Sequence, residues 1–298
     1  MSKMRILTKL YHRIRRGTKK RIQYLFYLLR LKKEILVRKD VHLALDSSSN
    51  DEVIISLTSF PARFGVLGGC LKSLLYQRVR PHRLIVWLAE EEVEGLDLSK
   101  QIPEFEFFVR SGIEFALIEE NLRSYNKLLP ALKRYPRGII VTCDDDILYP
   151  PWFLEKMVRA YNPEEICFYR AWEMETDPRG RMAPYHTWND ASSKTPSSRL
   201  FFTGVGGVLY PPGSLAEEVF NVSRIRELCP SGDDIWFNAM ALLKGTKKRL
   251  LLSNSYSFPI IKESLSQRSA LRERNVAQGF NDVMLRAVFD CYNLYQFL

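Results

Sequence analysis

Gly138-Ile-Ile-Val-Thr-Cys143-Asp144-Asp145-Asp146-Ile-Leu-Tyr-Pro150 is the stretch on which the fold turns. Its first part is a short, unbroken apolar run, which reads as a strand buried on both faces rather than a half-exposed one. Three consecutive carboxylates follow. They repel one another, so a folded chain keeps them close only where a cation or hydrogen-bond donors offset the charge. On a tight turn after a strand, Asp144 and Asp146 can face the same way. Oxygen ligands of this kind suit Mg²⁺ or Mn²⁺, which could in turn grip a diphosphate. An acidic surface turn or a helix N-terminus would account for the same residues without a metal.

Outward toward the N-terminus the apolar runs repeat. Val53–Leu57 ends at Thr58-Ser59-Phe60-Pro61, and Leu84–Leu88 and Ile113–Ile118 are two further strands. Leu67, Cys70, Leu71, Leu74 and Leu75 recur at helical spacing between them. A helix is predicted from Ser124 to about Tyr135, with Pro130 as an irregularity. Strands alternating with helices imply an α/β fold, a mostly parallel sheet with helices on both faces. Ligands of such sheets sit beyond the carboxyl ends of the strands, here Thr58-Ser59 and Asp144–Asp146.

Toward the C-terminus the pattern loosens. Residues 173–199 are rich in Asp, Ser, Pro and Arg, a composition that suits a functional loop or lid. Order returns at Leu200–Leu209, and a helix is expected near Ser231. Ser231-Gly-Asp233-Asp234-Ile-Trp236 fits a capping box, with Ser231 as N-cap and Asp234 three residues on. The same two acids, beside a pocket, could act as an oriented base, one taking a proton while the other orients the acceptor. Thr203-Gly204-Val-Gly206-Gly207 offers bare backbone for close approach of a ligand, or is a glycine-rich turn. Arg63 and Lys127 are candidates for a diphosphate. Lys262, Arg268, Arg272 and Arg274 could close over phosphate but form no motif.

The 298 residues carry a net charge of +10, yet the first 40 hold 14 Lys/Arg against two acids, and the rest is close to neutral. That location argues against nucleic-acid binding, which needs clustered cations on the body. Leu7, Leu10, Tyr11 and Ile14, then Ile22, Leu25, Phe26 and Leu29, recur at helical spacing among the basic residues. The segment 1–45 therefore reads as a basic amphipathic helical arm, suited to an anionic membrane surface or to packing on its own protein. Its apolar stretch is too short to span a bilayer and lacks a cleavage site, so neither a spanning helix nor a signal peptide is expected. Asp46–Asn50 is a polar linker, and the body is expected over 46–298. Five scattered cysteines give neither a disulfide framework nor a zinc spacing, which favours a reducing cytoplasm.

Residues 54–63 (IISLTSFPAR), 124–133 (SYNKLLPALK), the Asp144–Asp146 turn and the Ser231–Trp236 segment resemble bacterial glycosyltransferases of the GT-A type, close to glycosyltransferase family 2. The similarity spans roughly residues 52–290. It implies a GT-A-like nucleotide-diphospho-sugar transferase fold, with a nucleotide-binding half over 52–150 and an acceptor-binding half over 151–298. Thr58 and Ser59 would line the nucleoside pocket and Asp144 would face the ribose or base. Asp145 would lie among the nucleotide-sugar contacts, and Asp146, with Asp144, would hold Mn²⁺ or Mg²⁺. Asp234, with Asp233 beside it, would deprotonate the acceptor. Gly206, Gly207, Trp172, Trp188 and Trp236 would line the acceptor segment, the indoles stacking on sugar rings.

The implied reaction is inverting transfer of a hexose, from a UDP-sugar by preference, to a glycan or lipid-linked acceptor of the cell envelope, at the cytoplasmic face of the inner membrane. Gln267-Arg268-Ser-Ala-Leu271 departs from the Gln-x-x-Arg-Trp motif of processive members, and no His follows His186 to complete a metal site. Two rivals stay open: a metal-dependent nucleotidylyltransferase, although its usual glycine-rich basic loop is replaced by Thr58–Pro61, and a non-catalytic membrane- or RNA-binding adaptor.

Overall fold

The computed structural model describes residues 52–252, 258–261 and 279–298, together with Leu25 and Leu29, which are helical and exposed. The remainder of the amphipathic arm and the basic cluster Lys262–Arg274 lie outside the described residues. Nine strands are present among the described residues: β1 (Val53–Thr58), β2 (Arg83–Ala89), β3 (Ile113–Ile118), β4 (Ile139–Thr142), β5 (Glu165–Phe168), β6 (Ala171–Glu173), β7 (Leu200–Phe202), β8 (Val208–Tyr210) and β9 (Lys247–Leu250). Seven form one sheet in the order β3-β2-β1-β4-β8-β5-β9, and β6 pairs with β7 in a small antiparallel sheet. Every pairing in the large sheet is parallel except those of β8, which runs against both β4 and β5.

The apolar runs are continuous because the sheet is covered twice. Ile54, Ile85 and Ile140 belong to one core layer, with α4 (Asp233–Lys244) and α5 (Phe280–Cys291) packed on it. Ile55, Leu57, Leu84, Val86 and Val141 face the other, which is closed by α1 (Phe64–Leu75) and α3 (Phe153–Arg159). The α/β architecture with helices on both faces is therefore as read from the sequence.

The helix expected over 124–135 is split. A 3-10 turn occupies Arg123–Lys127, and α2 begins only at Leu129, with Pro130 in its first turn. Proline has no N–H to give to a preceding turn but is at home where a helix starts, so it fixes the break. The break lets Lys127 leave the helical path and point into the sheet's end. Strand β1 lies between β2 and β4, so the chain turns away on both sides there, and the carboxyl ends of β1 and β4 form the switch point at which ligands of such sheets bind. Among the described residues no helix is long and apolar enough to cross a membrane.

Candidate functional site

Construction of the site begins with Ser56, a fully buried hydroxyl inside the apolar run of β1. It accepts from the Trp87 indole at 2.9 Å and donates to the Lys127 carbonyl at 2.6 Å, which pins the 3-10 turn to the strand. The Lys127 ammonium is thereby delivered beside the acidic turn. Its Nζ lies 3.2 Å from Asp144 Oδ1 and 2.9 Å from Asp233 Oδ2. One cation thus joins the turn after β4 to the first turn of α4. The second contact is an ion pair rather than an in-line hydrogen bond, since that Asp233 oxygen meets no well-directed donor.

Asp234, next along α4, accepts from the Gly204 peptide N–H at 2.8 Å. The capping box expected at this helix start is absent. Gly232 is the N-cap, and the Ser231 hydroxyl lies instead 3.7 Å from the Met284 sulfur. The Asp234 carboxylate is turned across to the β7–β8 loop. Asn238, one turn further on, fixes that geometry: its amide donates to the Phe202 carbonyl at 2.9 Å and accepts from the Phe202 N–H at 3.1 Å. A Cβ at Gly204 would lie 2.6 Å from Lys127 Nζ and 3.2 Å from Asp234 Oδ1, so any larger residue there would push the ammonium aside.

A second cation serves the rest of the acidic turn. Arg63 follows β1 in the 3-10 turn Pro61–Arg63 and is buried. Its Nη1 donates to Asp145 Oδ1 at 3.0 Å and to Asp146 Oδ2 over a very short contact. Ser59 Oγ donates to Asp145 Oδ2 at 2.7 Å. The Asp144 peptide N–H donates to the Tyr149 hydroxyl at 2.8 Å, which shapes the turn itself. The Thr58 hydroxyl is spent on the Trp87 carbonyl at 2.9 Å.

The electrostatics follow from burial. Burial alone would lower the Lys127 pKa, but Asp144, Asp233 and Asp234 together reverse this and raise it well above the usual lysine value. Burial raises Asp234, and Asp233 beside it raises it further, against the opposing pull of Lys127 and Gly204 N–H. Burial also pushes Asp145 up to about 6, although Arg63 and Ser59 oppose it. A carboxylate raised in this way is a better proton acceptor than an exposed one.

The structure brings together Ser59, Arg63, Lys127, Asp144, Asp145, Asp146, Asp233 and Asp234, but not the indoles. Trp236 is fully buried in the core, its N–H donating to the Val219 carbonyl at 3.1 Å. Trp188 is likewise covered, packed between Tyr185 and Phe201 with its N–H on the Ala183 carbonyl at 3.0 Å. Neither ring offers a face to a sugar, and the expectation of stacking is corrected for both. Trp172 is half-buried, with the Arg170 guanidinium 5.1 Å from its ring. Gly206 and Gly207 are buried, and protein fills the space their missing side chains leave. A Cβ would stand 3.0 Å from Arg170 Cβ at Gly206 and 2.6 Å from the Phe153 ring at Gly207, which also has a φ of +78°. Ser56 and Asn238 escaped the sequence reading. A lone buried Ser in a strand and an Asn in a helix carry no pattern until their partners are placed.

Five carboxylates, Asp145 and Asp146 buried and Asp144, Asp233 and Asp234 half-buried, surround two cations here, so the set holds surplus negative charge. That surplus, together with the raised Asp145 and Asp234, fits a further cation of the Mg²⁺ or Mn²⁺ kind. Among the described residues no three acidic, His or Cys side chains already converge to hold one, and Arg63 sits on the oxygens of Asp145 and Asp146.

No protein family and no curated protein matches the sequence. Solved structures do resemble the fold. S. aureus TarS 1–349 in complex with UDP is 14% identical at a TM-score of 0.43, over 70% of this chain and 59% of that one. The chain thus spans about three fifths of that structure's length. Mannosyltransferase PcManGT from Pyrobaculum calidifontis, in complex with GDP-Man and Mn2+, is 14% identical at 0.38, over 95% and 83%. CMP:2-keto-3-deoxy-manno-octonic acid synthetase complexed with CTP is 11% identical at 0.39, over 76% and 99%. The structural neighbours are GT-A-like nucleotide-sugar transferases and nucleotidylyltransferases.

Proposed function

We propose that the chain is an inverting glycosyltransferase that moves a hexose from a nucleoside-diphosphate sugar, UDP-linked by preference, to a hydroxyl of a glycan or lipid-linked acceptor. The reading is supported above all by the placement of Asp234. It is a half-buried carboxylate with a raised proton affinity, fixed by the Gly204 N–H, and its neighbour Asp233 is joined to Asp144 of the acidic turn through the Lys127 ammonium.

In the reaction the acceptor oxygen forms a bond to the anomeric carbon. The bond from that carbon to the diphosphate oxygen breaks, and its electron pair leaves on the phosphate. The acceptor proton passes to Asp234, while Asp233, held by Lys127, orients the pair. Lys127 and Arg63 lie where they can draw the departing negative charge. Ser59 and Thr58, at the end of β1, would line the nucleoside pocket with their backbone and apolar atoms, since Asp145 and the Trp87 carbonyl take their hydroxyls. Asp144 and Asp146 would hold Mg²⁺ or Mn²⁺, which when bound supplies further positive charge to the diphosphate. The half-exposed ring of Trp172 is the remaining indole for an acceptor sugar. A lipid-linked acceptor of the cell envelope would suit the basic arm, which could rest on the cytoplasmic face of the membrane.

UDP release from a panel of UDP-hexoses, in the presence of Mn²⁺, tests the proposal. Asp234→Asn keeps an oxygen for Gly204 but cannot take a proton. It is expected to lower turnover by roughly 10²- to 10⁴-fold with an unchanged melting temperature. Stabilisation by CTP and not by UDP in a thermal shift would instead favour nucleotidyl transfer. Near-normal turnover of Asp234→Asn with saturating acceptor would remove the base assignment.

A further inference from the structure

Arg63 occupies an unusual position for a residue expected to meet a phosphate. It is 7% exposed, it follows directly from β1, and one of its nitrogens bridges Asp145 and Asp146. Its Nε is also buried and has no hydrogen-bond partner among the described residues. A buried N–H without an acceptor is costly and marks a place that something else completes. Asp146 is wholly covered, and Arg63 holds one of its carboxylate oxygens.

Resting on the reading above, we infer that Arg63 is a positioning residue that couples the divalent ion to the nucleotide. Without ligands its guanidinium is the stand-in cation of Asp145 and Asp146. An ion arriving at Asp146 displaces it, and the freed fork, with its spare Nε–H, turns to an oxygen of the incoming diphosphate. Arg suits both positions because its planar donors match carboxylate and phosphate oxygens equally well. Ser59 keeps hold of Asp145 during the exchange through its 2.7 Å hydrogen bond, so the turn retains its shape. The device makes the ion and the nucleotide cooperative. Each removes a competitor or supplies a partner for the other, and by linkage the coupling is the same from either side.

The test is binding, not turnover. Mn²⁺ alone is titrated into metal-stripped wild-type, Arg63→Gln and Arg63→Lys proteins, with free Mn²⁺ followed by electron paramagnetic resonance. UDP is titrated with and without Mn²⁺ by calorimetry. Arg63→Gln is expected to bind Mn²⁺ alone at least tenfold more tightly than wild type. The gain is expected to vanish in Arg63→Gln/Asp146→Asn, and the factor by which Mn²⁺ tightens UDP is expected to shrink. Arg63→Lys keeps the charge without the fork, so its Mn²⁺ affinity should stay near wild type while its UDP coupling falls. Equal or weaker Mn²⁺ binding by Arg63→Gln would overturn the inference. So would unchanged coupling in Arg63→Lys, which answers the question even if Arg63→Gln does not fold. Failure of wild type to bind UDP under any condition would count instead against the proposed function.

Discussion

Lys127 and Lys248 are both taken out of water by the same sheet, and they end with opposite proton affinities. Lys127 sits at the carboxyl end of β1 and β4 among Asp144, Asp233 and Asp234, and its pKa is raised. Lys248 lies in β9 at the sheet's edge, fully buried, with no partner for its Nζ among the described residues. Its register neighbour on β5 is Ile166, and burial alone pushes it down to about 7. Burial on its own therefore neutralises a lysine, while burial among carboxylates locks the charge on. Three acids keep one ammonium positive at the end of the sheet, a requirement of the proposed function, in which Lys127 faces an anionic leaving group.

Removing the favoured cation should have the largest effect. Lys127→Met leaves three carboxylates around an apolar chain, and breaking a buried ion pair from one side costs about 3–5 kcal/mol. Thermal melts should show the loss, and UDP release from donor should fall at least a hundredfold. The contrast would be broken if this variant melted like wild type.

The edge lysine should respond in the opposite direction. Its folded pKa is below its unfolded value, so between about pH 7 and 10.5 the unfolded chain takes up the proton that the native state refuses. Stability then rises with pH across that window, and below it both states are protonated and this contribution no longer changes. Lys248→Met is expected to flatten the slope and to raise the melting temperature at pH 7 by on the order of 10 °C. Turnover should not change. A variant that melts lower than wild type at pH 7 would show that the amine has a partner after all.

The gentlest test leaves both lysines in place. Asn238→Ala unties α4 from β7, and a lost pair of buried amide hydrogen bonds costs about 1–3 kcal/mol. Turnover should drop less than Asp234→Asn makes it drop, because Gly204 loosens but the carboxylate remains. Chemical denaturation and the same UDP-release assay measure both.

Legibility in the sequence followed burial. Strands β1 and β4 are apolar on both faces apart from Ser56 and the terminal Thr58 and Thr142, because two helical layers cover them, so Val53–Leu57 and Gly138–Cys143 announced themselves. Helix α1 did the same through Leu67, Cys70, Leu71, Leu74 and Leu75. The acidic turn and the Asp233–Asp234 pair stood out as charge in the wrong place. What the chain does with those charges was not legible, because it depends on partners far away in sequence. Ser231 and Asp234 made a sound local cap, yet Gly204 claimed the carboxylate. Trp188 and Trp236 carried the chemistry for stacking on a sugar, but their burial decides otherwise, and burial is a property of the whole packing. Lys248 looked like any surface lysine in Lys247–Leu250, a run whose alternation gives no hint that one amine points inward.

The hydroxyl of Tyr125, two residues before Lys127, donates to the carbonyl of Cys229, 104 residues along the chain. Closing so long a loop costs little more free energy than closing one half its length, and the contact of Asp233 with Lys127 lies across much the same span of chain. A nascent chain that has emerged as far as the turn after β4 already owns the three aspartates and Lys127, but not Asp233 or Asp234. The pairing of Lys127 with Asp233, and the hold of Gly204 on Asp234, are therefore acquired late in synthesis.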